Sequence, residues 1–94
     1  MEIARHLTIR GRVQGVWYRA WMAEQAEALG VRGWVRNRSD STVEALVVGS
    51  ADALEGLITR CRQGPPAARV DSIDSEKADP ADAGPAFEKR TTLA

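Results

Sequence analysis

The chain has 94 residues, 44% of them apolar and 28% charged, with 13 basic against 13 acidic side chains. Residues 1–94 therefore read as one domain, with too ordinary a composition for a disordered or fibrous protein and too little net charge for generic nucleic-acid binding. No apolar run approaches the roughly 18 residues that span a bilayer, and Met1 to His6 lacks the apolar stretch of a secretion signal, so a cytoplasmic protein with no membrane partner is expected.

His6-Leu7-Thr8-Ile9-Arg10 alternates polar and apolar residues, the pattern of a half-buried strand, and Gly11 is expected to end it. Tyr18, Met22, Ala26 and Leu29 then recur at helical spacing before Gly30, which predicts a helix over 18–29. Val31, Gly33, Val35 and Asn37 share one face of an extended segment. The polar turn Arg38-Ser39-Asp40-Ser41 joins it to Thr42–Gly49, so the two strands read as a hairpin. Ser50 as N-cap, Asp52 in the first turn and the stripe Leu54, Leu57, Ile58, Cys61 define a second helix that ends before Gly64-Pro65-Pro66. Ala68–Ile73 is strand-like, Lys77–Pro85 is a loop, and Phe87–Arg90 forms a last short strand. The order β-α-β-β-α-β with a closing strand predicts an α+β, ferredoxin-like sandwich: a four- to five-stranded antiparallel sheet with two helices on one face.

The neutral total hides an asymmetry. Through residue 38 seven arginines face Glu2, Glu24 and Glu27, and the remainder of the chain is correspondingly acidic, so the first part can attract a small anion. The segment Gly11-Arg12-Val13-Gln14-Gly15-Val16-Trp17-Tyr18-Arg19 holds no Ser, Thr, Asp or Asn to cap the helix that follows. The first N–H groups of that helix lack a side-chain acceptor, and Arg19 in the first turn can fold back toward them, so an anion would satisfy both. The alternative is a helix capped by Gly15 or water, with Arg19 solvated. The segment matches neither a Walker A loop nor a G-x-G-x-x-G fingerprint, so no nucleotide is implied.

These residues, followed by Gly30-Val31-Arg32-Gly33-Trp34-Val35-Arg36-Asn37 and Thr42-Val43-Glu44, closely resemble the acylphosphatase family, and the similarity runs from about residue 5 to residue 90. The resemblance implies a free-standing domain that hydrolyses the carboxyl–phosphate bond of acyl phosphates without a metal; no cofactor is expected, and a 94-residue domain with a full two-helix, one-sheet core is expected to be a monomer. It places the phosphate-binding arginine at Arg19 and the water-holding asparagine at Asn37. The phosphate cradle, made of backbone N–H groups, falls on Gln14, Gly15, Val16, Trp17, Tyr18 and Arg19, and would also take inorganic phosphate or sulfate. Two departures stand out. Ser41 occupies a turn position that usually holds Gly, and Lys89 stands where the closing strand usually packs an apolar residue, which predicts a frayed, displaced or edge strand.

Other residues read more plainly. His6 has no second ligand or triad partner in the pattern and is assigned to the strand surface or to packing. Cys61, the lone cysteine, completes the stripe of the second helix and reads as core. Tyr18 also reads as core, Trp17 as the pocket mouth, and Trp34 as sheet packing on the side away from Asn37. Arg32, Arg36 and Arg38 read as solvated, with steering of anions as the alternative. Two other functions compete: an inactive anion-binding or regulatory domain of the same fold, and a single-stranded RNA module. The latter is disfavoured because Thr42–Val48 has no aromatic residue. The same domain type also opens larger carbamoyl-transfer maturation proteins, but no zinc-finger cysteine pattern follows here, which favours the free-standing enzyme.

Overall fold

The computed structural model describes residues 1–92. The elements are β1 (Ile3–Arg12), α1 (Tyr18–Ala28), β2 (Arg32–Asn37), β3 (Val43–Gly49), α2 (Ala51–Gln63), β4 (Arg69–Lys77), a single 3-10 turn (Pro80–Asp82) and β5 (Phe87–Lys89). They build one five-stranded sheet in the order β4-β1-β3-β2-β5. The first four strands pair antiparallel, as expected, whereas β5 joins β2 in parallel. The sheet is therefore mixed, and β5 is indeed an edge strand. Its direction follows from the route of the chain after β4. The loop carries Ala78 and Ala83 across the sheet face away from the helices, against Ala4, Trp34, Leu46 and Val48, and enters the far edge alongside β2.

The main core lies on the other face, where Leu7, Ile9, Val35, Val43, Ala45 and Val47 meet Tyr18, Met22 and Ala26 of α1 and Leu54, Leu57 and Cys61 of α2. The alternation seen in the sequence is thus a real division into two faces. α2 begins as its sequence dictates, with the Ser50 hydroxyl accepting from the Ala53 N–H at 3.1 Å. Burial pushes the Cys61 thiol up to about 12, so it stays protonated and inert in the core.

Two strands run longer than their apolar patterns. β4 continues through Asp74, Ser75, Glu76 and Lys77 because it is an edge strand whose exposed residues need not be apolar. β1 runs through Gly11 instead of stopping there. The register against β4 slips between Arg10 and Gly11, and Gly11 has φ 129°, with Arg69 O only 2.2 Å from where a Cβ would stand. Only glycine tolerates that approach, so Gly11 marks a bulge within the strand.

Tyr18 ties the two helices together. The carbonyl of Cys61 would ordinarily accept from the N–H four residues on, but that residue is Pro65 and has none. The buried Tyr18 hydroxyl donates to it instead at 2.7 Å. Tyr18→Phe leaves that carbonyl without a partner and is expected to cost about 1–3 kcal/mol of stability, read from the urea midpoint at unchanged m-value.

Candidate functional site

β1 and β2 run in the same direction, separated in the sheet by β3, so the loop after β1 and the end of β2 lie at the same end of the sheet. The chain between β1 and α1 coils tightly there, with φ of 73° at Gly15 and 66° at Trp17. Gly15 adopts this conformation freely. Trp17, the residue that precedes α1, holds a left-handed conformation that costs a non-glycine residue about 1–2 kcal/mol. No side chain caps α1 and no acidic residue sits in its first turn, as the sequence indicated. The positive end of an 11-residue helix is left without a carboxylate.

This end of α1 opens into a recess of about 280 Å³. Gly15, Trp17, Tyr18 and Arg19 line it on the helix side, Asn37 on the sheet side and Lys89 from β5, and no carboxylate lines it. Trp17 is 80% exposed at the mouth. The Arg19 guanidinium donates to the backbone carbonyl of Arg90 at 3.0 Å, which restrains it while leaving most of its five N–H donors unspent. The Asn37 Oδ1 is buried with no hydrogen-bond partner, the only such side-chain atom among the described residues. A buried unpartnered amide oxygen is costly in a structural position and serviceable where a ligand or water supplies the proton.

The expected cradle is one of backbone N–H groups, and the side chains of two of its members are used elsewhere. Val16 is buried in the main core. The Gln14 side chain turns away from the recess and donates from Nε2 to the carbonyls of Arg38 and Thr42, both at 2.8 Å. It thereby clamps the β2–β3 turn that follows Asn37. Ser41 in that turn adopts a positive φ, 74°, a conformation Gly would take freely, and the Asp40 carboxylate accepts from both the N–H (3.0 Å) and the hydroxyl (2.6 Å) of Thr42 to brace it. The hydrogen bonds from Thr42 hold the Asp40 carboxyl below its usual range.

Arg32, Arg36 and Arg38 are not simply solvated. Arg32 pairs with Glu2 at 2.9 Å. Arg36 Nε donates to Glu44 at 2.6 Å, and Arg38 lies 3.3 Å from the same carboxylate oxygen. His6 Nε2 donates to the other oxygen at 2.6 Å. Arg36 and Glu44 are directly opposed across β2 and β3, and Arg36 also lies over the Trp34 ring at 4.5 Å. Glu44 is thus a buried hub on the sheet face away from the recess, bracing the strand that ends in Asn37. Sequence reading missed it because its partners are up to 38 residues away. It also missed Lys89 as a recess residue and the Arg90 carbonyl as the acceptor for Arg19. A main-chain acceptor has no residue signature at all.

The acylphosphatase family profile matches residues 5–89. The chain belongs to the acylphosphatase family. An acylphosphatase of Acidovorax sp. (strain JS42) is 54% identical over 92 residues, covering 98% of this chain and 94% of the relative. One of Rhizorhabdus wittichii is 60% identical over 75 residues, covering 80% and 76%. An acylphosphatase structure from Coxiella burnetii shares the fold with a TM-score of 0.89 at 35% identity, covering 95% of this chain and 93% of that one. Acyl phosphate hydrolysis is accordingly the activity of this chain, and the inactive anion-binding alternative finds no support.

Burial opposes ionisation of Glu44, but the hydrogen bonds and charges of Arg36 and His6 outweigh it and lower its carboxyl below the usual value. The folded state then binds fewer protons there than the unfolded state. The stability this contributes is present above the ordinary carboxylate value of about 4.3 and is lost as pH falls through the folded value. Glu44→Gln is expected to lower stability at neutral pH, and the gap from the parent should narrow on acidification through that range when urea denaturation is followed at several pH values.

Proposed function

We propose that hydrolysis takes place in the recess at the start of α1, without metal or cofactor, by in-line attack of water on the phosphoryl group. The observation that carries this reading is the meeting, in one recess lined by no carboxylate, of the Arg19 guanidinium with the buried, unpartnered Oδ1 of Asn37.

The leaving group of an acyl phosphate is a carboxylate, stable at neutral pH without protonation, so the reaction needs no strong general acid. Positioning and charge stabilisation suffice. Arg19 contacts two phosphoryl oxygens, and backbone N–H groups in the coil from Gly15 into α1 hold the third. The Asn37 Oδ1 accepts one proton of the attacking water and so orients its lone pair toward phosphorus. An amide is no base at neutral pH, so the proton lost by water passes to an oxygen of the substrate's own phosphate. The P–O bond to the acyl carboxylate breaks as the bond to water forms, releasing carboxylate and inorganic phosphate. Phosphate, or sulfate in its place, is then a competitive ligand of the same recess.

In this reading residues 1–94 act as one acylphosphatase-like domain, a cytoplasmic monomer. The radius of gyration of 11.8 Å supports one compact unit, for which about 12 Å is expected at this length. No helix among the described residues is long and apolar enough to cross a membrane.

With benzoyl phosphate as substrate in EDTA, the parent is expected to turn over. Arg19→Gln should lower kcat/KM by about a thousandfold or more, and Asn37→Ala should lower kcat by about a hundredfold, in proteins whose circular dichroism is unchanged. The kcat/KM profile should lack an enzyme group titrating near neutrality. Turnover that requires added metal, or that survives both substitutions, would refute the assignment.

A further inference from the structure

The recess contains a second cation that the hydrolytic step leaves unused. Lys89 is the last residue of β5 and pairs with Val35 in the parallel register. Alternation along the strand puts it on the helix-covered face, where it joins Arg19 and Asn37 in lining the recess. Its neighbours Glu88 and Arg90 pair with each other at 3.5 Å, and among the described residues Lys89 has no acidic partner. Glu88 itself pairs in register with Trp34, on the opposite face of the sheet.

An acyl phosphate has two places that can carry negative charge: the phosphoryl group and the acyl chain. With the terminal phosphoryl oxygens met by Arg19 and the N–H groups at the start of α1, the ammonium of Lys89 is left for a charge elsewhere on the substrate. We infer that Lys89 is a specificity residue for the acyl part, giving the enzyme a preference for acyl phosphates whose acyl group bears a second anion over those with a neutral acyl group. This inference rests on the acylphosphatase reading of the recess. A flexible point charge suits such a role, since it reaches a distal anion without fixing one geometry as a guanidinium fork does. Lys89 is exposed, so the preference is modest and sensitive to salt.

The test compares para-carboxybenzoyl phosphate with the isosteric, neutral para-carbamoylbenzoyl phosphate, using the parent, Lys89→Gln and Lys89→Arg. The parent should favour the carboxylated substrate roughly threefold in kcat/KM at low salt. Lys89→Gln should remove that preference and Lys89→Arg should retain it. An unchanged ratio in Lys89→Gln would overturn the inference. So would an equal loss on both substrates with weaker inhibition by inorganic phosphate, because that pattern puts the lysine on the phosphoryl group. Calorimetric binding of the two corresponding acyl phosphonates, which cannot be hydrolysed, makes the same comparison without turnover. A chain that hydrolyses neither substrate, yet binds the carboxylated phosphonate preferentially through Lys89, would refute the hydrolytic reading and uphold the role of the lysine.

Discussion

The helix that starts without a cap is the feature on which the rest of this structure depends. α1 follows a coil in which Trp17 is held in a left-handed conformation, and neither a capping side chain nor a first-turn carboxylate meets its leading N–H groups. Both features weigh against folding, by about 1–2 kcal/mol for the backbone of Trp17 alone. They persist because the packing around them is firm. Val13 and Val16 are buried on one side of the turn and Tyr18 on the other, so the coil is gripped at both ends by the core. Strain and unpaired donors concentrated at one point are what a bound anion can relieve.

Sheet topology then decides what faces that helix end. Because β1 and β2 are parallel to each other with β3 between them, the last residue of β2, Asn37, emerges beside the turn that leads into α1. Gln14 closes the gap by hydrogen-bonding the carbonyls of Arg38 and Thr42, and the parallel addition of β5 supplies the remaining wall. β5 has only three residues, yet the carbonyl just beyond it restrains Arg19. The placement of both side chains thus depends on segments far away in sequence: Arg19 on residue 90, Asn37 on the clamp from Gln14.

The electrostatics are more selective than the charge count indicates. Of the arginines in the basic first part of the chain, Arg32, Arg36 and Arg38 are engaged by Glu2 and Glu44, two on a sheet face remote from the recess. Arg19 is the arginine that lines the recess, and the other cation there, Lys89, comes from the acidic remainder of the chain. In the proposed reading, anion recognition is therefore local. It comes from two side chains and a helix terminus in a pocket lined by no carboxylate, and not from a field spread over half the molecule.

The sequence by itself determined what depends on local spacing and on the identity of short segments. The alternation along β1, the stripes of the two helices, the Ser50 cap and the missing cap of α1 are all nearest-neighbour effects. Each was legible before any partner was known, as was the motif containing Arg19 and Asn37. Only the tertiary structure decided the parallel pairing of β5, the continuation of β1 through the bulge at Gly11, the placement of the Gln14 side chain on the hairpin and of Val16 in the core, and the gathering of Arg36, Arg38 and His6 around Glu44. It alone showed that Lys89 faces the recess and that a main-chain oxygen holds Arg19. The physical reason is common to all of these. They are contacts between segments distant in sequence, through backbone groups every residue has or side chains whose partners are set by strand order, and no local pattern encodes which segment will arrive opposite.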